Sequence, residues 1–195
     1  MGCDIHSFVE VKRDDKWERV FDKIFQDYGD SMTSEPFGNR SYSVFGFLAD
    51  VRNYSHCPPI SEQKGLPEDS EWLNSPHKYA YETNPMSGEV IPYAERETNK
   101  KYLQDDWNYH SFSYLTLKEL VDFDYSKTFE NRRYTKVEVN SSGGRFSDGS
   151  AVAKEGEGEI ITFRNHLGTG FFQDLAQLRM LGSPEDVRIV FYFDN

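Results

Sequence analysis

The residues best suited to chemistry lie within the first eleven positions, where the pair Asp4 and His6 is followed by Glu10. This segment alternates as an extended strand, with one face formed by Cys3, Ile5, Val9 and Val11 and the other by Asp4, His6, Phe8 and Glu10. Two positions along a strand span roughly 6.5–7 Å. The side chains of Asp4 and His6 can therefore lean toward one ion or one small polar ligand.

Asp4, His6 and Glu10 are candidate ligands of a divalent metal ion such as Zn²⁺, Mn²⁺ or Mg²⁺. Imidazole and carboxylate groups are a common ligand mixture at hydrolytic metal centres. The same groups could also hold a ligand without a metal. The alternative interpretation is that they are ordinary polar residues on a half-exposed strand face. Cys3 points to the opposite face, which separates its thiol from His6.

A second candidate group surrounds His110, which is followed by Ser111 and Ser113. A histidine beside two hydroxyls indicates either a general base or a phosphate-binding pocket. The alternative is a lead-in to a helix whose hydroxyls cap the local backbone. The candidate catalytic groups are thus His6 and His110 as acid or base, with Asp4 as an orienting or metal-binding carboxylate.

Arg52 and Asn53 follow a predicted helix and open a long irregular stretch of the chain. A guanidinium fork and an amide at such a place are candidate ligands for a phosphate or a carboxylate. The alternative is that Arg52 satisfies the carbonyl groups at the carboxyl end of the helix. Both interpretations stay open at the sequence level.

The charge balance argues against two classes of partner. The 195 residues include 33 acidic side chains against 22 Lys and Arg, a formal net charge of −11. Ordinary nucleic-acid binding and anionic-membrane binding need a basic surface, so neither is expected. No stretch approaches the roughly 20 apolar residues of a membrane span. With only Cys3 and Cys57 and no recognisable signal peptide, we expect a cytoplasmic protein with reduced thiols.

Hydrophobic periodicity and turn residues predict an α+β fold in a single domain, with a mixed or antiparallel sheet and about three helices packed on it. The predicted strands are residues 1–11, 17–21, 134–139, 159–163 and 187–193. Asp14 and Asp15 mark a hairpin turn. Predicted helices cover residues 42–51 and 170–181, and a third follows Thr116, where Glu119 completes a capping box. Residues 140–158 are expected to be a turn-rich loop and a polar segment.

Residues 53–108 form a long irregular excursion, since six of the eight prolines lie between Pro58 and Pro92. A stretch of this length inside a domain is generally either functional or disordered. Its aromatic side chains favour an ordered lid that folds back on the body of the protein over a flexible linker.

Several segments together resemble a family of uncharacterised proteins from bacteriophages, prophages and bacteria whose members begin Met-Gly-Cys-Asp-Ile-His. The segments are Gly2-Cys3-Asp4-Ile5-His6, Phe47-Leu48-Ala49-Asp50-Val51-Arg52-Asn53, Pro59-Ile60-Ser61-Glu62, His110-Ser111-Phe112-Ser113-Tyr114-Leu115-Thr116 and the run Val187-Arg188-Ile189-Val190-Phe191-Tyr192-Phe193-Asp194-Asn195. The resemblance implies a phage-type protein in the cytoplasm of a bacterial host. It implies no particular activity.

Combined, these features predict a polar pocket covered by the 53–108 excursion. Its candidate residues are Asp4, His6, Arg52, Asn53, His110, Ser111 and Ser113. Imidazole, guanidinium and hydroxyl groups suit an anionic small molecule, such as a nucleotide or another phosphoester, and hydrolysis is one version of that activity. The alternative is a non-catalytic counter-defence protein that binds a host or defence protein, or sequesters a signalling nucleotide. A small virion component that forms a symmetric oligomer is a third interpretation.

Overall fold

The computed structural model describes residues 2–27, 29–77, 81–83, 86–87, 90–92, 98–139, 143 and 145–194. The strands are β1 (Ile5–Arg13), β2 (Lys16–Val20), β3 (Phe25–Gln26), β4 (Met32–Thr33), β5 (Tyr81–Thr83), β6 (Val90–Pro92), β7 (His110–Thr116), β8 (Thr128–Asn131), β9 (Arg133–Val139), β10 (Arg145–Val152), β11 (Glu159–Thr162) and β12 (Val187–Phe193). The helices are α1 (Tyr42–Ala49), α2 (Glu71–Asn74), α3 (Asn99–Asp105), α4 (Leu117–Asp122) and α5 (Phe163–Leu178). This content confirms the predicted α+β class.

The central sheet contains four antiparallel strands in the order β2-β1-β12-β7. β1 and β12 are its inner strands, and both are rich in buried apolar residues. The turn between β1 and β2 places Asp14 at φ 46° and Asp15 at φ 63°. Two successive residues with positive φ are typical of the tight turns that match the twist of a two-stranded hairpin. The predicted Asp14-Asp15 turn is confirmed.

The two faces of the central sheet are covered by different parts of the chain. The odd-numbered residues Cys3, Ile5, Val9 and Val11 belong to the main hydrophobic cluster, together with residues from α1 and α5. Phe8 and Val190 on the other face pack with Leu73 of α2 and Leu103 of α3 in a smaller cluster. The alternation of β1 therefore positions two separate apolar layers.

The three predicted helices are present as α1, α4 and α5, but their caps and bounds differ in part from the prediction. Ser41 occupies the N-cap position of α1, although its side chain makes no capping hydrogen bond. The capping box of α4 is confirmed, because Thr116 accepts from the backbone of Glu119 and Glu119 accepts from Thr116. α5 begins at Phe163, before the predicted residue 170, and contains a kink at Gly168.

The 53–108 excursion was wrongly predicted to lack regular structure throughout. It contains α2 and α3, which begin at the N-caps Ser70 and Thr98. Each of these side chains accepts a hydrogen bond from a backbone N–H of the first turn. This capping stabilises helices that are too short to show a hydrophobic period in the sequence. Residues 78–80, 84–85, 88–89 and 93–97 of the predicted excursion lie outside the described part of the chain.

Of the twelve strands in the described part of the chain, seven were not predicted, namely β3, β4, β5, β6, β7, β8 and β10. Residues 110–116 form β7 instead of a lead-in to a helix, because they pair with β12 across the sheet. Residues 145–152 form β10, which pairs with β9 through a register shift between Ser147 and Ser150. Residues 140–142 and 144 of the predicted loop lie outside the described residues. Within the described part, no helix is both long enough and apolar enough to cross a membrane.

Candidate functional site

The candidate site lies at one end of the central sheet. Because β12 runs antiparallel to both β1 and β7, the start of β1, the start of β7 and the end of β12 meet there. In the register of the sheet, His6 lies opposite Tyr192, and Phe193 lies opposite both Ile5 and His110. We refer to Asp4, His6, His110, Tyr192 and Asp194 as the sheet-end site.

The central contact of the sheet-end site joins His6 to Asp194. The distance from His6 Nε2 to Asp194 Oδ2 is 3.0 Å, and each side chain is about one-third exposed. The backbone holds the aspartate in place, since Asp4 N donates to Asp194 Oδ1 at 2.9 Å and Asp194 N donates to Asp4 O at 3.1 Å. An ionised carboxylate only accepts, so in the neutral form of the His6 imidazole the proton lies on Nε2 and Nδ1 has a lone pair.

Two tyrosines fix the plane of the His6 ring. Tyr192 stacks on it with ring centroids 5.1 Å apart and an interplanar angle of 18°. Tyr109 contacts the imidazole edge to face at 5.5 Å. Burial raises the pKa of the Tyr192 hydroxyl, so this neighbour remains uncharged at neutral pH. The imidazole is therefore held in one orientation before any ligand binds.

The carboxylate of Asp4 forms an ion pair with Arg40 and does not orient His6. The guanidinium of Arg40 contacts both carboxylate oxygens of Asp4, with Nε donating to Oδ1 at 2.6 Å. This bidentate pair lowers the pKa of Asp4 below its ordinary value. A Cβ atom at Gly2 would lie only 2.6 Å from Nη1 of Arg40, so the small residue leaves room for the guanidinium. In the structure, Asp194 occupies the orienting position that the sequence suggested for Asp4.

Glu10 belongs to a different, buried cluster. Its side chain is fully buried, accepts from the Ser70 hydroxyl, and accepts from Arg188 Nε at 2.8 Å. Burial raises the pKa of Glu10, and the charge of Arg188 opposes that rise. Arg188 also lies 4.1 Å from the centroid of Trp17. These contacts make Glu10 a structural ion-pair residue that links β1, β12 and the start of α2.

The predicted metal ligands are not brought together. Glu10 follows His6 by four positions, a distance of about 13 Å along a strand, and both oxygens of Asp4 face Arg40. Among the described residues, no group of three or more His, Cys, Asp or Glu side chains is placed to hold a metal ion. The donor set of Asp4, His6 and Glu10 therefore does not fit a shared metal centre, because its carboxylates have other partners.

His110 lies at the same sheet end but does not contact His6 in any described interaction. Its Nδ1 is 3.0 Å from the hydroxyl of Ser111, and its ring lies over Phe193 at 6.2 Å. Its Nε2 is buried without a hydrogen-bond partner among the described residues. Ser111 has φ 53° at a register shift between β7 and β12. The buried hydroxyl of Ser113 accepts from the backbone of Lys64 at 3.0 Å, which ties the excursion to the sheet.

Arg52 and Asn53 form hydrogen bonds with different parts of the chain. Arg52 forms side-chain hydrogen bonds with Tyr54 and Cys3, which raise its pKa and bring its guanidinium to the start of β1. Burial raises the pKa of the Cys3 thiol, so this cysteine is an inert core group. Asn53 donates to the backbone carbonyl of Cys57 at 2.7 Å and accepts from its N–H at 2.9 Å. Asn53 therefore shapes the loop after α1.

Three important residues of the site were missed by sequence reasoning: Asp194, Tyr192 and Arg40. Asp194 is 188 positions from His6 along the chain, and only the register of β1 with β12 brings them together. Tyr192 was treated as part of an apolar strand. No local spacing links Arg40 to Asp4, so the sequence carried no direct signal for their ion pair.

Comparison of the chain with protein-family models, curated proteins and solved structures finds no match. The chemistry of the sheet-end site follows from its geometry. An imidazole held at Nε2 by a carboxylate and open at Nδ1 can take a proton from a water molecule or a hydroxyl group. The carboxylate then stabilises the imidazolium that forms.

Proposed function

We propose that this chain is a phage-type hydrolase of an anionic small molecule, most simply a nucleotide or another phosphoester, with His6 as its general base. The observation that supports the proposal is the 3.0 Å contact between His6 Nε2 and Asp194. It fixes the tautomer that has a basic Nδ1 and no hydrogen bond from that atom to any described residue. Such an imidazole is ready to accept a proton.

In the proposed step, Nδ1 of His6 removes a proton from water as the water oxygen attacks the phosphorus atom. A new P–O bond forms, the bond to the leaving oxygen breaks, and the imidazolium returns its proton to that oxygen. Asp194 orients the ring and stabilises the positive charge. The guanidinium groups of Arg40 and Arg52, which contact Asp4 and Cys3 at the start of β1, support the choice of an anionic substrate.

The experiment compares hydrolysis of p-nitrophenyl phosphate, bis(p-nitrophenyl) phosphate and a panel of cyclic and linear nucleotides. We expect the wild-type protein to turn over at least one of them, and His6→Gln to lower kcat by about 10²–10⁴-fold because general-base catalysis is lost. Asp194→Asn should also lower kcat, because the amide can donate to Nε2 and thereby favour the other tautomer.

The matched control is His56→Asn, which removes an exposed imidazole at φ 55°, a conformation that asparagine tolerates. It should leave turnover unchanged. Absence of turnover with every substrate, or turnover that survives in His6→Gln, would contradict the proposal.

A non-catalytic binding role is the second candidate, because Trp107 is 90% exposed two residues before Tyr109, which contacts His6. Large exposed aromatic side chains are enriched at protein–protein interfaces. In this proposal the chain binds a host or defence protein, or holds a nucleotide without changing it. Native mass spectrometry distinguishes the two: a stoichiometric complex whose ligand is recovered unchanged supports binding alone.

A further inference from the structure

A cavity of about 490 Å³ lies between α5, the end of α4 and the segment that follows α4. Its volume falls within the roughly 300–1,000 Å³ of small-molecule sites. Aromatic side chains form part of its wall, namely Phe123, Tyr125 and Phe172, and two arginines, Arg164 and Arg179, also line it. None of its lining residues belongs to the sheet-end site. We call this cavity the arginine groove.

The kink in α5 brings the two arginines to one groove. They are fifteen positions apart, and a straight helix would separate their Cα atoms by about 22 Å. Gly168 interrupts the helix with φ 73° and ψ 178°, so the first turn, which carries Arg164, has its own direction. After the kink, Phe172, Leu175, Ala176 and Arg179 recur at helical spacing and all line the groove.

Both guanidinium groups lie within electrostatic reach of the Tyr125 hydroxyl. Burial raises the pKa of Tyr125, and the charges of Arg179 and Arg164 oppose that rise. The hydroxyl itself donates to the carbonyl of Leu120 at 2.7 Å, so it is already satisfied. Arg164 also lies 4.5 Å from the ring centroid of Phe172. The groove therefore combines two like charges with an apolar aromatic wall.

Neither arginine forms a salt bridge or side-chain hydrogen bond with any residue that the structure describes. The acidic residue of the groove, Asp124, directs its carboxylate to the backbone N–H and hydroxyl of Ser126, which lowers its pKa. In a protein with a net charge of −11, two arginines that line one groove and have no carboxylate partner among the described residues are unusual. An anion bound between them would relieve their mutual repulsion.

We propose that the arginine groove binds a small organic anion whose phosphate or carboxylate group lies between Arg164 and Arg179. Charge-assisted hydrogen bonds from the two guanidinium groups hold the anionic group. The apolar body of the ligand packs on the aromatic wall formed by Phe123 and Phe172. This site is separate from the proposed hydrolytic site and does not depend on it.

The test is isothermal titration with phenylphosphonate, which carries both an anionic group and a ring and has no ester bond that the proposed hydrolytic site could cleave. We expect saturable 1:1 binding that is tighter than the binding of inorganic phosphate or of phenol. Arg164→Gln and Arg179→Gln should each raise Kd at least about tenfold, equivalent to about 1.4 kcal/mol. Both arginines are exposed, so neither variant should change the thermal unfolding temperature.

Arg13→Gln is the matched control, since it makes the same change in net charge at an exposed side chain that is distant in sequence from Arg164 and Arg179. It should leave Kd unchanged, and so should His6→Gln at the sheet-end site. Lack of saturable binding, equal weakening by Arg13→Gln, or loss of binding only in His6→Gln would overturn the proposal. Equal affinity for inorganic phosphate would overturn the assignment of the aromatic wall.

Discussion

Asp174 shows how a single buried carboxyl group can make stability depend on pH. It is only 8% exposed, and its Oδ2 accepts from the backbone N–H of Phe37 at 2.7 Å. Phe37 has φ 60°, and its ring stacks on Phe171 at 4.8 Å. The hydrogen bond therefore ties the loop before α1 to α5. One backbone donor does not offset the burial, which raises the pKa of Asp174 from 3.8 to about 6.

We predict that Asp174→Asn stabilises the protein above about pH 6 and has little effect near pH 4. Between these values the folded state keeps a proton that the unfolded state has released, so the contribution of Asp174 to stability falls as pH rises. Asparagine mimics the protonated carboxyl and still accepts from Phe37. The gap between 3.8 and about 6 sets an upper limit of about 3 kcal/mol on the gain.

Urea unfolding of both proteins at pH 4, 5, 6 and 7.5 measures this difference. The comparison between variants is necessary because His166 acts in the opposite direction. Burial lowers the pKa of His166 to about 4, so its contribution to stability is lost as pH falls. Because His166 is present in both proteins, its contribution cancels in the difference between their free energies of unfolding. A pH-independent difference between them would contradict the assignment to Asp174.

At the scale of elements, α5 depends on one glycine. Gly168 has φ 73° and ψ 178° inside the helix, a backbone region that essentially only glycine occupies. A Cβ atom there would meet no neighbouring atom within 4 Å, so any cost of a larger residue arises from backbone strain. Gly170, two residues later, lies in helical backbone and also has open space around its Cβ position.

We predict that Gly168→Ala lowers the free energy of unfolding by about 1–3 kcal/mol, the usual cost of a strained backbone conformation. Gly170→Ala should instead be neutral or stabilise by up to about 1 kcal/mol, since alanine is the better helix former. Urea unfolding of the pair isolates the kink, because both substitutions add the same methyl group. Equal effects of the two substitutions would show that the kink is not required.

The elements differ in how far the sequence predicted them. β1 and α4 were predictable because alternation and a capping box are local signals. β7 was not, because the positive φ of Ser111 and the register shift beside it interrupt the strand pattern. The short helix α2 depends on packing against the sheet for its stability. The His6–Asp194 contact depends on strand register, which is not encoded in any single segment.

At the scale of the whole molecule, the central sheet separates two apolar layers of unequal size. The main cluster includes Leu178 of α5 and joins residues of α1, α4, α5 and three strands of the sheet. The second cluster is small, and its buried members are Phe8, Leu66, Leu73, Leu103 and Val190. Parts of the 53–108 excursion cover that second face. A small cluster held by two short helices offers less cooperative stability than the main core.

The covering layer should therefore open before the rest of the molecule. We predict that Leu73→Ala speeds amide hydrogen exchange in α2 and α3 while β1 and β12 stay protected.

Leu178→Ala is the matched control, since both leucines are fully buried. It should lower global stability by about 2–5 kcal/mol, as cavities in a core do, and speed exchange in all elements together. Uniform loss of protection in Leu73→Ala would contradict this, because the covering layer would then unfold with the sheet. Selective opening would mean that this face of the sheet, where Tyr192 packs beside His6, can be uncovered without unfolding the main core.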